Sequence, residues 1–202
     1  MARTNTSARE GADARERILA AALDEFSARG YRAATIGRIA TGAGMSRAGI
    51  LHHFENKQAL LLALLDARDD ELRLRGPAIE QGAESATELL ASMQVSIRRI
   101  LDGRELIKLA HMLTAEAADA DHPAHDWLVQ RSRRLRASMR AAFDSSFERG
   151  ELAPDADSRT LAALMLGAVE GLEAQWLADP DEVDVAEGIA LFDLLIRRAL
   201  AT

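Results

Sequence analysis

Residues 35–57 read TIGRIATGAGMSRAGILHHFENK, and this stretch decides the fold. Thr35 stands where a hydroxyl can cap a helix of two turns, Ile36–Thr41. Gly42-Ala43-Gly44 then breaks it, with Gly44 supplying the positive φ that a tight turn needs and that only glycine adopts freely. Ser46 caps a second short helix that runs from Arg47 through His53. Two short helices joined by a glycine-containing turn make a helix-turn-helix. Ala40 is small where the helices must touch, and Ile36, Ile39, Ile50 and Phe54 fall on the sides that face inward.

With those positions buried, Arg47, Ala48, Gly49, His52 and His53 face out, where the second helix can enter a DNA major groove. Arg47 in its first turn suits bidentate contact with guanine O6 and N7. Thr35 and Ser46 offer hydroxyls and helix-start amides to phosphates, and Lys57 adds a fixed positive charge beside the DNA backbone. Glycine-linked corners also occur in helical bundles that bind nothing. Gly49 costs a helix interior roughly 1 kcal/mol, which fits a place where the backbone lies close to something.

Outward from this corner the pattern is helical throughout. Ile18, Leu19, Ala22, Leu23 and Phe26 line a first helix that Gly30 stops, with Tyr31 as an apolar anchor. Leu60, Leu61, Leu64, Leu65 and Leu72 line another over 56–75, and further helices are predicted over 84–102, 104–118, 124–149, 156–178 and 182–201. Alternation of period two is absent, and Pro77, Pro123, Pro154 and Pro180 all fall between the periodic segments. The expectation is an all-α protein of about nine helices. Residues 1–12 are expected as a flexible arm, 13–57 as a helix-turn-helix domain and 58–202 as a ligand-binding and dimerisation domain.

The charge is uneven. The net charge is −7, yet residues 1–57 carry nine Arg and Lys against six Asp and Glu, leaving −10 on the remainder. A basic head on an acidic body places polyanion contact at one end. With no cysteine, disulfides and thiolate metal sites are excluded. The apolar runs Ala59–Leu65 and Leu161–Val169 are short for a bilayer span, and the start of the chain lacks an apolar signal core. A cytoplasmic protein with no membrane partner and no cofactor is expected.

Arg15 to Leu60 closely resembles the DNA-binding domain of TetR-family repressors. The resemblance rests on Gly30-Tyr31, the cap Thr35, Ile39-Ala40, Gly44-Met45-Ser46, His53-Phe54 and Asn56-Lys57 before a leucine-rich helix. It implies phosphate contacts by Thr35, His53 and Lys57, and groove contacts by Arg47, Ala48, Gly49 and His52. One departure is clear: the family commonly has an aromatic pair where this chain has Leu51-His52, so a phosphate contact from a hydroxyl at position 51 is lost. The stretch 148–180 resembles, more loosely, the BetI-like C-terminal domains of the family. That likeness implies a dimer built on the last two helices.

Independent of the resemblance, the helix 158–177 is apolar on more than one side, which demands cover from several directions. Leu161, Leu164, Met165, Ala168 and Leu172, with Leu191 and Leu195 of the last helix, are candidates for a homodimer interface, and a monomer's own core is the alternative. Gly167 and Gly171 would admit a second backbone. A pocket for a small-molecule inducer is expected among Met93, Ile97, Met112, Trp127, Met139 and Phe143, with Gln94, His111 or His125 as polar handles; for each apolar residue taken singly, ordinary core is the favoured reading. Glu116, Asp119, Asp121, His122 and His125 could ligate a metal, but Pro123 and the acidic flanks favour a solvated loop. The run Arg131, Arg133, Arg134, Arg136 and Arg140 reads as an exposed, charge-paired face, with an anionic ligand as alternative.

The function these features imply is a sequence-specific repressor bound to a double-stranded, two-fold operator and released by a small-molecule inducer. An activator, a ligand-independent regulator and, remotely, a helical enzyme are the alternatives.

Overall fold

The computed structural model describes residues 2–75, 83–153 and 156–200. Pro77, Pro154 and the side chain of Leu72 lie outside this description. Among the described residues there are nine helices and no strand: α1 (Ala2–Ala33), α2 (Ile36–Gly42), α3 (Arg47–His53), α4 (Lys57–Arg75), α5 (Ala86–Leu101), α6 (Arg104–Glu116), α7 (His125–Glu148), α8 (Ser158–Ala178) and α9 (Val185–Leu200). The helix α1 begins at Ala2, inside the segment expected as a flexible arm. Its last turn is broken at Gly30, whose φ of 73° is left-handed. A Cβ there would also collide with Oε1 of Glu116, so conformation and space both require glycine.

The chain divides into two compact units, residues 1–69 with 108–125, and residues 70–107 with 126–202. This division differs from a boundary after residue 57, because α4 and α6 each contribute residues to both units. In the first unit Ile18, Ala22, Phe26, Ile39, Ile50, Leu60, Leu61 and Leu64 are fully enclosed, together with Leu109 and Leu113 of α6. Burial at this level is worth roughly 1.5–3 kcal/mol per large side chain, and it holds α2 and α3, each of seven residues, that could not persist alone. Ile36 is only half-buried; it opens α2 at the rim of this core.

The second unit has its own core, which includes Leu89, Leu90, Met93, Ile97, Met139, Phe143, Leu161, Met165, Val185 and Ile189. There α8 and α9 approach closely where Gly188 meets Leu172: a Cβ on Gly188 would lie 2.7 Å from a Leu172 methyl. Asp157 caps α8, accepting from the amides of Arg159 and Thr160 and from the Thr160 hydroxyl at 2.6 Å. The helix α8 is 21 residues long and contains an 18-residue window with a mean hydropathy of 1.2, long and apolar enough to cross a membrane by length and composition. The run Leu161–Val169 understates it because it stops at Glu170, beyond which Leu172, Trp176 and Leu177 continue the apolar stretch around Glu170 and Glu173. Its Leu161, Ala162, Met165 and Leu166 are packed in the core of the unit, as in a helix covered on one side by its own chain.

Candidate nucleic-acid interface

The α2–α3 corner is built by local rules. Thr35 caps α2, its hydroxyl accepting the Arg38 amide at 3.3 Å, and Glu25 of α1 accepts the Thr35 amide at 3.4 Å. At the other end Met45 N–H donates to Ala40 O at 2.9 Å and Gly44 N–H to Thr41 O at 3.1 Å. This paired closure needs a left-handed residue, and Gly44 has φ 65°. Ser46 caps α3 through its hydroxyl, which accepts the Gly49 amide at 3.0 Å. A Cβ at Gly49 would press on Met45 at 3.3 Å, so the close neighbour of this glycine lies in the turn of its own chain.

The packing orients α3. Ile50 is fully buried and Phe54 nearly so, with the Arg15 guanidinium 5.5 Å from the Phe54 ring centre. Around the rest of α3, Arg47, Ala48, Leu51 and His52 are exposed, while Gly49 and His53 are half-buried. The His52 and His53 rings meet edge to face, 5.6 Å apart. The rod therefore has one anchored edge and one open edge, and the open edge carries a cation, two imidazoles and a bare leucine.

Two of the expected roles change on this geometry. Thr35 and Ser46 are already engaged as helix caps, each with one lone pair used. Lys57 is not a free cation beside the DNA: its Nζ donates to Tyr31 O at 2.7 Å, Ala34 O at 2.9 Å and Arg32 O at 3.4 Å. It also sits 4.3 Å from the centre of the Tyr31 ring. Burial lowers its pKa while the charge of Glu116 opposes that shift, and burial raises the pKa of Tyr31. The reason is the break at Gly30, which leaves carbonyls of the α1 terminus without helical partners; a cation is the natural group to collect them.

Sequence reasoning read Glu116 as part of an acidic loop and missed its position. Its Oε2 accepts the Tyr31 amide at 3.2 Å and lies 3.3 Å from Nε2 of His122, whose Nδ1 accepts the Ala124 amide at 3.2 Å. Asp119 pairs with Arg32 at 3.1 Å, and His125 Nδ1 lies 2.8 Å from Ala117 O. Of the groups weighed as metal ligands, Glu116 and His122 thus face each other while Asp119 and His125 are engaged elsewhere, and no cluster of three or more forms among the described residues. No signal in a single sequence links residue 31 to residue 116, because the pairing exists only once the chain has folded.

In the second unit the assignments divide. Met93, Ile97, Met139 and Phe143, expected to line a pocket, are members of the packed core. Trp127 is half-buried, and Gln94 donates to Asp193 at 3.4 Å, whereas His111 and Met112, also half-buried, belong to the first unit. Gln94 also lines an open groove of about 580 Å³ between α5 and α9, with Ala91, Val95, Arg98, Ala186, Glu187 and Ala190. Of the expected interface, Leu161 and Met165 are corrections: they face the core of their own unit, since α8 has apolar residues on both sides and the subunit takes this one. Leu164, Leu191 and Leu195 are 59%, 56% and 55% exposed, with Leu194 beside them, whereas Ala168 and Leu172 are half-buried. A Cβ placed on Gly167 or Gly171 would meet no atom within 4 Å. Arg140 pairs with Asp144 at 3.3 Å on the basic face of α7.

Comparison with known proteins agrees with this architecture. Residues 18–64 match the family described as bacterial regulatory proteins, tetR family. The chain is 31% identical over 189 residues to the probable HTH-type transcriptional regulator ArpR of Pseudomonas putida, covering 87% of this chain and 86% of that protein. It is 30% identical over 187 residues to the HTH-type transcriptional regulator TtgR, also of Pseudomonas putida, with the same coverage of 87% and 86%. Among solved structures, a SmeT–triclosan complex superposes with a TM-score of 0.78 at 21% identity, covering 94% of this chain and 92% of that one. SmeT is described as the repressor of the Stenotrophomonas maltophilia multidrug efflux pump SmeDEF. A head built on a capped, outward-facing α3 and a sequence relationship running over most of two regulators lead to one assignment: the chain belongs to the tetR family and is a helix-turn-helix transcriptional regulator.

Proposed function

We propose that this regulator is a cytoplasmic homodimeric repressor that holds a two-fold, double-stranded operator and lets it go when a small molecule binds its second unit. The observation that carries the reading is the open edge of α3, where Arg47, Ala48, Leu51 and His52 are exposed while Ile50 is buried. Arg47 reads guanine; Ala48 and Gly49 keep the edge low enough for close approach, and His52 and His53 lie toward the phosphates. Thr35 and Ser46 offer the DNA backbone their hydroxyl protons directly, and their remaining lone pairs only through bridging water, since phosphate oxygens are acceptors. Lys57 supports the head from behind.

The exposed Leu164, Leu191, Leu194 and Leu195 support pairing through α8 and α9, and a two-fold operator needs two heads. The triclosan bound to SmeT supports a small apolar inducer in a protein of this fold. Inducer and operator affinities are then reciprocally linked.

The test is binding of the full chain to DNA flanking its own gene, titrated at several salt concentrations. A steep salt slope with sequence preference is expected. Arg47→Ala should lose about 1–3 kcal/mol and relax preference at one base pair; uniform loss across all sequences would overturn the role of Arg47.

A further inference from the structure

We infer that Leu51 is a base-reading residue that recognises the C5 methyl group of a thymine next to the base pair contacted by Arg47. The inference rests on the DNA-binding reading of α3 and deepens it.

Leu51 is 41% exposed on a helix that already buries what its own unit needs, Ile50 and, just beyond its end, Phe54. At 100° per residue, Arg47 and Leu51 fall one turn apart and about 40° apart round α3, with Ala48 next to them on the open edge. Ala48 is too short to shield either neighbour. A leucine in that place has no hydrogen bond to offer, so it cannot position a phosphate and cannot satisfy a base-edge donor or acceptor. The major groove presents one apolar group for such a side chain, the thymine methyl. Leaving Leu51 against water or against a polar base edge gains nothing, whereas covering a methyl removes apolar surface of both partners from water. Arg47 and Leu51 therefore form a pair of readers with different chemistry, a guanidinium fork for guanine and an isobutyl group for thymine. The spacing of one helical turn sets them on adjoining base pairs.

The experiment begins with selection of binding sites by the full-length protein from a pool of random DNA duplexes. The selected duplex is then made with thymidine or with deoxyuridine, which pairs identically but lacks the methyl group. The wild type should bind the deoxyuridine duplex about fourfold more weakly per head, the effect of one buried methyl group. Leu51→Ala, at an exposed site where folding is not at stake, should bind both duplexes equally, and its own selection should lose the thymine beside the guanine. Equal binding of both duplexes by the wild type, or an unchanged ratio in Leu51→Ala, overturns the assignment of Leu51 while leaving the DNA-binding head intact. A pool that yields no preferred sequence overturns the head reading itself, and the thymine contact with it.

Discussion

Nζ of Lys57 lies 2.7 Å from the carbonyl oxygen of Tyr31, and a second bond of 2.9 Å ties it to Ala34 O. The first residue of α4 thus closes the end of α1 across 26 positions of sequence. Lys57→Met keeps the alkyl stem and removes the donor, leaving part-buried carbonyls unpaired. The head should lose about 1–3 kcal/mol. Hydrogen exchange at the Ile39 and Ile50 amides reads this directly, and DNA affinity should fall alike for every sequence. A fall in affinity with unchanged amide exchange, and a salt slope reduced by about one, would return Lys57 to the DNA backbone.

Gly30 and Gly44 both have positive φ but differ in their surroundings. Nothing lies within 4 Å of a Cβ placed on Gly44, so Gly44→Ala should cost about 1–2 kcal/mol from backbone strain alone. Gly30→Ala adds a collision with the Glu116 carboxylate and should cost clearly more. Combining Gly30→Ala with Glu116→Ala should recover part of that excess in the same exchange measurement. Equal costs at the two glycines would mean that Glu116 does not stand over Gly30.

Asp157 gives α8 a pH dependence. The Thr160 hydroxyl bond, the amides of Thr160 and Arg159 and the nearby charge of Arg140 lower its pKa, outweighing desolvation. A carboxylate with a depressed folded-state pKa contributes stability that is complete above its unfolded value of about 4 and is lost as pH falls through the folded value. Asp157→Ala should therefore melt lower than the wild type at neutral pH, and the gap should narrow in acid below pH of about 4. Thermal melts by circular dichroism across this range check the sign; a gap that widens in acid refutes it.

The leucines of α8 and α9 separate core from interface. Leu191→Glu with Leu195→Glu should yield a folded monomer in sedimentation velocity, because both side chains are exposed in the single chain. Leu161→Ala should instead cost about 2–5 kcal/mol in stability, as a cavity in a packed core does. Retention of the dimer by the double glutamate variant would move the interface elsewhere.

The fold was legible where its causes are local. Helix ends follow from Thr35, Ser46, Gly30 and Gly44, each a cap or turn residue acting on atoms close to it in the chain, and Pro123 and Pro180 mark gaps before α7 and after α8. The open edge of α3 follows from the same local pattern once Ile50 is taken as inward. The bonds of Lys57 and Glu116 were not legible, because a lone lysine and a lone glutamate carry no mark of partners 26 and 85 residues away. Nor were Leu161 and Met165 separable from Leu164: a helix with apolar residues on both sides does not say which side its own chain will take.

Seven residues are too few for α3 to hold its shape by itself, so its form is borrowed from the core of its unit through Ile50 and Phe54. Reading an operator and folding the head then draw on the same free energy. A genetic screen for loss of DNA binding should accordingly return interior positions such as Ile18, Ile39 and Ile50 alongside Arg47. Operator DNA itself should protect those interior amides, acting on the head as a ligand acts on any marginal fold.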